Sequence, residues 1–249
     1  MSGHYNLPVS RAAIDWAKSI AVEGDPAGLS PVAVLFLLRE YVGAGGDAVR
    51  AAVEHGLTRG LAAVHSDPDV CTRMLWLRTL SEAAGLSDDE RLRTSVSAAL
   101  PAAIDSLEAL VRRQYEPGEG LLGQSCADHV RCCSALLAAF DLSGRVPYAM
   151  LAEELLRHAH RAWWHDTERS FGAGFDVDCV TLHVLCRLAE LLATPDYRAA
   201  AVVAPASDYA DDARELAASV SSRSGEHPHD AAEFGAAMLE WFALESNLQ

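Results

Sequence analysis

Residues able to ligate a metal or move a proton stand at matching places at the starts of apolar helices. Cys71 lies in Val70-Cys71-Thr72-Arg73, His129 in Asp128-His129-Val130-Arg131 and Cys179 in Asp178-Cys179-Val180-Thr181. A fourth stretch, Asp230-Ala231-Ala232-Glu233, opens a further apolar helix in the same way. His129 and Cys133 are four residues apart and share a helix face, as do Cys179 and His183 with the types exchanged. Two sulfurs and two imidazoles from Cys71, His129, Cys179 and His183 would suit tetrahedral zinc, and three of them plus water a catalytic zinc. No Cys-x-x-Cys pair supports this, so the simpler expectation is that the thiols pack a crowded interior and no cofactor is used. Cys132 and Cys133 adjoin and cannot both face one centre. Zinc therefore stands as the alternative.

Acids flank the same positions. Asp128, His129, Asp176 and Asp178 form the expected catalytic set, with acid–base chemistry shared between an imidazole and paired carboxylates. Aspartate at a helix start is also a favoured cap, and that competing role holds for Asp128, Asp178 and Asp230 alike. Tyr115, Trp164, His165 and Asp230, on the loops entering these helices, are the expected substrate contacts. Trp163-Trp164 would serve as a ring platform or as core anchors at a helix end. Asp208 with Asp211-Asp212 resembles half of an acidic metal-diphosphate motif, but no second half exists and a solvated helix face is the better reading. Phosphate loops, nucleophile elbows and dinucleotide fingerprints are absent from the sequence.

The elements that must position these residues are helices. Half of the 249 residues are hydrophobic, 7% are aromatic, and alanine is abundant. Periodicity and breakers predict helices over 9–22, 31–42, 47–65, 70–84, 88–115 (with Pro101 as a kink or restart), 128–142, 147–164, 178–192, 208–222 and 230–244. The stretch 32–38 is nearly all apolar and must be buried on most sides. Apolar helices alternate with more polar ones, and matched positions recur at spacings of 42, 58, 50 and 52 residues. Such a loose repeat is the signature of stacked helical hairpins. The expected fold is all-α: one domain, residues 1–249, with about five hairpins forming an (α/α) toroid or a partial one, apolar helices inside.

Between Gly120-Leu121-Leu122 and Tyr148, and again from Trp164-His165-Asp166 to Tyr197, the order of Gly-rich loop, acid, buried helix, turn and Ala-rich helix resembles the (α/α) toroid proteins. These include the six-hairpin glycosidases and the N-acylglucosamine epimerases. The resemblance covers under half the chain and five hairpins rather than six. It implies a toroid whose loops gather at one end of a central hub. The lanthionine cyclases hold zinc near such a centre, but their Cys-His-Gly motif is missing here.

Composition narrows the partners. With 20 basic against 35 acidic residues the formal charge is −15, which disfavours nucleic acid and anionic membrane surfaces. No uninterrupted apolar run reaches 18 residues, and residues 1–8 do not form a secretory signal, so a cytoplasmic protein with reduced cysteines is expected. The expected function is an enzyme of isomerase, hydrolase or cyclase type, possessing a His/Asp-lined hub pocket and acting in biosynthesis on a small molecule, sugar or peptide. A non-catalytic helical repeat that binds a peptide or partner protein is the alternative.

Overall fold

The computed structural model describes residues 11–24, 28–44, 46–200 and 209–248. Among them the chain is almost wholly helical, in the order α1 (Arg11–Glu23), α2 (Pro31–Ala44), α3 (Asp47–Ser66), α4 (Val70–Ser87) and α5 (Glu90–Gln114), then α6 (Cys126–Ser143), α7 (Val146–Trp163), α8 (Phe175–Ala193), α9 (Pro195–Ala200), α10 (Tyr209–Arg223) and α11 (Ala231–Leu248). A two-stranded antiparallel hairpin, β1 (Tyr115–Glu116) with β2 (Gly120–Leu121), stands where a plain loop is expected before α6. Asp208 of the acidic triplet lies outside the described residues.

Five helices bury apolar surface on most sides: α2, α4, α6, α8 and α11. Each packs on the next, and α11 packs back on α2, so their contacts run in a closed circuit. The more polar helices lie outside: α3 on α2 and α4, α5 on α4, α7 on α6, and α10 on α8 and α11. The outer partner of α11 is α1, which packs mainly there and only lightly on α2. Trp16 meets Phe234 edge-on at 6.2 Å across that contact. The first and last described helices are thus one inner–outer pair, and the sequence alone pairs α1 with α2 instead.

Close packing in the circuit depends on glycine. A methyl group at Gly235 of α11 would fall 2.5 Å from the Phe36 ring of α2, so only hydrogen lets these two helices approach so closely. Helix α5 buries Leu92, Val96, Ala99, Ala103 and Leu107, a spacing of three and four that lays one stripe on α4. Pro101 lies on its exposed side and the helix continues through it, without the expected restart. Among the described residues α5 is also the helix whose length and mean hydropathy would suffice to cross a membrane, although it has no uninterrupted apolar run.

The starts of the inner helices are set by caps. Asp69 accepts from the backbone N–H groups of Cys71 and Thr72 and starts α4. Ser125, not Asp128, is the N-cap of α6; Asp128 is the third helical residue and returns a bond to Ser125 N–H, completing a capping box. Helix α8 begins at Phe175 after Gly174, whose φ of 130° suits glycine, so Asp178 sits one turn inside the helix.

Candidate functional site

The N-terminal ends of the inner helices carry most residues expected to do chemistry, and their side chains there hold loops in place. His129 is buried. The backbone N–H of Leu121 donates to its Nε2 at 2.8 Å, which makes Nε2 the acceptor and places the ring proton on Nδ1, 2.8 Å from the Ser125 carbonyl. Both ring nitrogens are thereby committed to backbone. The ring stacks on His158 at 5.1 Å and leans on Trp163 at 5.0 Å, toward the outer helix α7. Burial, followed by the nearby His158, lowers its pKa below the usual histidine value.

Asp178 has the corresponding role in the next helix pair. Its Oδ1 accepts from the N–H of Phe171 at 3.1 Å and its Oδ2 takes Arg223 at 2.7 Å. Burial raises its pKa, opposed by Arg223 and the Phe171 N–H. Leu121 with His129 and Phe171 with Asp178 are equivalent: a loop N–H anchored on the helix that the loop enters.

The other expected residues are dispersed. Asp128 is held below the usual carboxylate range by its bonds to Ser125. Asp176 is half-buried, 3.6 Å from Arg131. Asp230 lies in a short turn before α11, its pKa raised by burial and by Asp176. Tyr115 is half-buried at the start of β1, with its phenol pushed up by burial and by Glu154. Trp164 packs between His160 at 5.1 Å and Phe171 at 5.2 Å, and His165 closes its loop by a backbone bond to Ser170. Cys71 faces Cys132 between α4 and α6 and is pushed up by that contact and by burial. Among the described residues no three His, Cys, Asp or Glu side chains are grouped to hold a metal ion, so Cys71, His129, Cys179 and His183 do not form a common ligand set.

Cys179 and His183 do face the space between the inner helices. With residues from all five inner helices they line a central cavity of about 30 Å³, room for one water. Its middle is apolar, built from Val32, Leu35, Phe36, Leu75 and Ala237. Beyond it, along the C-terminal halves of the inner helices, opens a basin of about 370 Å³ lined by Arg39, Arg78, Arg187, Glu82, Asp141, Glu190 and Glu240. Arg39, Arg78 and Glu240 border both spaces. This basin is at the end opposite to the one where the sequence places the site; a smaller cavity of about 270 Å³, lined by Ser30, His229 and Glu233 among others, opens at that other end.

The basin holds three guanidinium groups against four carboxylates. Arg39 grips Glu82 through two bonds of 2.7 and 3.1 Å and reaches Glu240 at 2.5 Å. Arg187 bonds Asp141 at 2.6 Å and Glu190 at 3.0 Å, while its buried Nε has no partner among the described residues. Arg78 donates to His183 Nε2 at 2.7 Å, and its nearest carboxylates are Asp141 at 3.5 Å and Glu240 at 3.8 Å. Because arginine can only donate, His183 carries its proton on Nδ1, which faces Glu240 at 3.6 Å. Burial, then Arg78, lowers the His183 pKa to about 3, so the ring is neutral at physiological pH. Burial acts to raise Glu240, but His183, Arg39 and Arg78 together hold it at about 2.

Sequence reading names only His183 of this group. The missed signal is charge inside apolar helices: Arg39 interrupts the run of α2, Arg78 stands mid-helix in α4 and Arg187 in the second half of α8. On a helix buried on most sides such residues must meet acids from neighbouring helices. No protein-family model, no curated protein and no solved structure matches this chain.

Proposed function

We propose that the five pairs form an (α/α) toroid and that the chain is an enzyme acting at its hub, with the basin as entrance and His183 as the acid–base group. The observation that carries this reading is a neutral imidazole placed between a guanidinium and a carboxylate, behind the wall of a polar cavity. Glu240 orients Nδ1–H and would stabilise the imidazolium formed when Nε2 takes a proton from substrate. Asp141, Glu82 and Glu190 give the mouth its acidic balance, which together with the net charge of −15 favours substrates bearing a positive group. Cys179 is buried and its thiol is pushed far up by burial and by Glu233, so it stays protonated and serves as packing. The loop-anchoring roles of His129 and Asp178 leave them outside the reaction.

The test is a substrate screen. Untreated protein is incubated with pools of small polar metabolites and consumption is followed by NMR. His183→Gln, with helicity confirmed by circular dichroism, should lose at least about 10²-fold in turnover, the usual weight of a general acid–base group. Undiminished turnover in that variant would refute the reading. Consumption of nothing by the wild type would leave the binding of a partner as the better account.

A further inference from the structure

We infer that the ligand of the basin is a small amino acid or similar zwitterion, whose carboxylate engages Arg78 and in doing so releases the His183 ring nitrogen that Arg78 covers. This rests on the reading of the basin as the entrance to the hub, and it adds the ligand's charge pattern and the event that arms the site.

The three basin arginines are satisfied unequally. Arg39 has two carboxylates in direct hydrogen-bonding contact, and Arg187 has two. Arg78 has none: its short bond goes to a neutral imidazole, and no carboxylate oxygen lies closer than 3.5 Å among the described residues. Its side chain is nonetheless only 13% exposed. A guanidinium so far removed from water binds a carboxylate more strongly than a neutral acceptor, since charge-assisted bonds are roughly twice as strong. Arg187 is already held by two carboxylates, and its one donor without a partner among the described residues, Nε, is buried out of solvent reach. Asp141 lies between the two, bonded to Arg187 and 3.5 Å from Arg78.

The rest of the lining asks for a cation. Four carboxylates outnumber three guanidinium groups. A carboxylate alone would deepen that surplus. An ammonium alone would leave Arg78 as it is. A molecule with both groups gives Arg78 a carboxylate partner and meets the excess acid, and 370 Å³ suits a ligand of amino-acid to dipeptide size.

Arg78 lines both the basin and the central cavity, with Arg39 and Glu240, and of these three it is the one bonded to His183 Nε2. When Arg78 turns its donors to an incoming carboxylate, its hydrogen bond to Nε2 is lost. Nε2 then has a free lone pair, Nδ1 keeps its proton toward Glu240, and a proton leaving the substrate has an acceptor. Without ligand the base is capped.

Calorimetric titrations of the full chain with glycine, β-alanine, γ-aminobutyrate and 5-aminopentanoate, against butyrate and butylamine, test the charge pattern. At least one zwitterion should bind ten-fold or more tightly than either single-charge probe. NMR of labelled imidazole tests the release: the His183 titration midpoint should move upward on binding that zwitterion. Arg78→Gln should abolish the preference over butylamine as well as the movement of the midpoint. Failure of all four zwitterions to bind, equal binding of butylamine, or a His183 midpoint that does not move would overturn the inference. Turnover that depends on His183 would still stand in that case, because the screen with His183→Gln reads it independently.

Discussion

Acidification should destabilise this protein largely through His183, with the buried His129, whose pKa is also lowered, acting in the same direction. His183 is 15% exposed and its pKa falls from the ordinary 6.5 to about 3 in the folded chain, chiefly from burial and then from Arg78. The unfolded chain binds the proton below about pH 6.5, whereas the folded chain does not until about pH 3. Stability from this group is therefore complete above pH 6.5 and is lost as the pH falls toward 3. Each pH unit in that window costs about 1.4 kcal/mol, so the fall from pH 7 to pH 4 removes about 3 kcal/mol. Glu240, lowered from 4.5 to about 2, acts in the same direction but only below about pH 4.5. Asp178, Asp230 and Glu233 are raised and act in the opposite direction, so the wild-type curve alone is a mixture. Urea unfolding of wild type and His183→Gln at half-unit steps from pH 7.5 to 4 isolates the histidine by difference. The gap between the two proteins should narrow by about 3 kcal/mol on going from pH 7 to pH 4. Parallel curves would show that His183 titrates normally, and the picture of a neutral imidazole wedged against Arg78 would be wrong.

Two further substitutions probe the frame. Gly235→Ala places a methyl group against the Phe36 ring where α11 meets α2, and overpacking of this kind should cost about 1–3 kcal/mol, read as a lower urea midpoint with an unchanged slope. Asp178→Ala strips the Phe171 N–H of its acceptor and leaves Arg223 without its buried carboxylate; a loss of about 2–4 kcal/mol is expected, with faster amide exchange through residues 165–174 and no change in turnover.

Much of the fold is legible in the sequence, because each inner helix advertises itself locally. The run Val32 to Leu38 has no polar face, and every residue from Ala33 to Leu38 is buried. Boundaries are harder to read where the cap lies upstream of the most conspicuous acid. Asp128 and Asp178 look like helix starts, yet the caps at Ser125 and Gly174 begin those helices three and four residues earlier. The signal is present as Ser125-x-x-Asp128, a capping box. The pairing of α1 with α11 leaves no local trace, since it joins opposite ends of the chain. The basin is hidden for the same reason: Arg39 meets acids 43 and 201 residues away. What the sequence offers is the bare fact of arginines in apolar helices, while the acids and imidazoles at the helix starts are more conspicuous.

The two ends of the circuit differ in what their polar groups are bonded to, and that difference supports the proposed placing of the site. At the N-terminal end His129 and Asp178 hold backbone N–H groups of the entering loops, and Asp69 and Asp128 hold caps. To recruit any of them for catalysis would release a loop or fray a helix, each costing about 1 kcal/mol or more before any substrate bond is made. At the C-terminal end the charged groups hold mostly one another. Arg78, His183, Asp141 and Glu240 are tied side chain to side chain, and exchanging one partner for a ligand group leaves the backbone untouched. Side-chain pairs of this kind can open at a ligand's approach without releasing a cap or a loop. A site needs groups that are positioned yet exchangeable, and in this fold those conditions meet around Arg78.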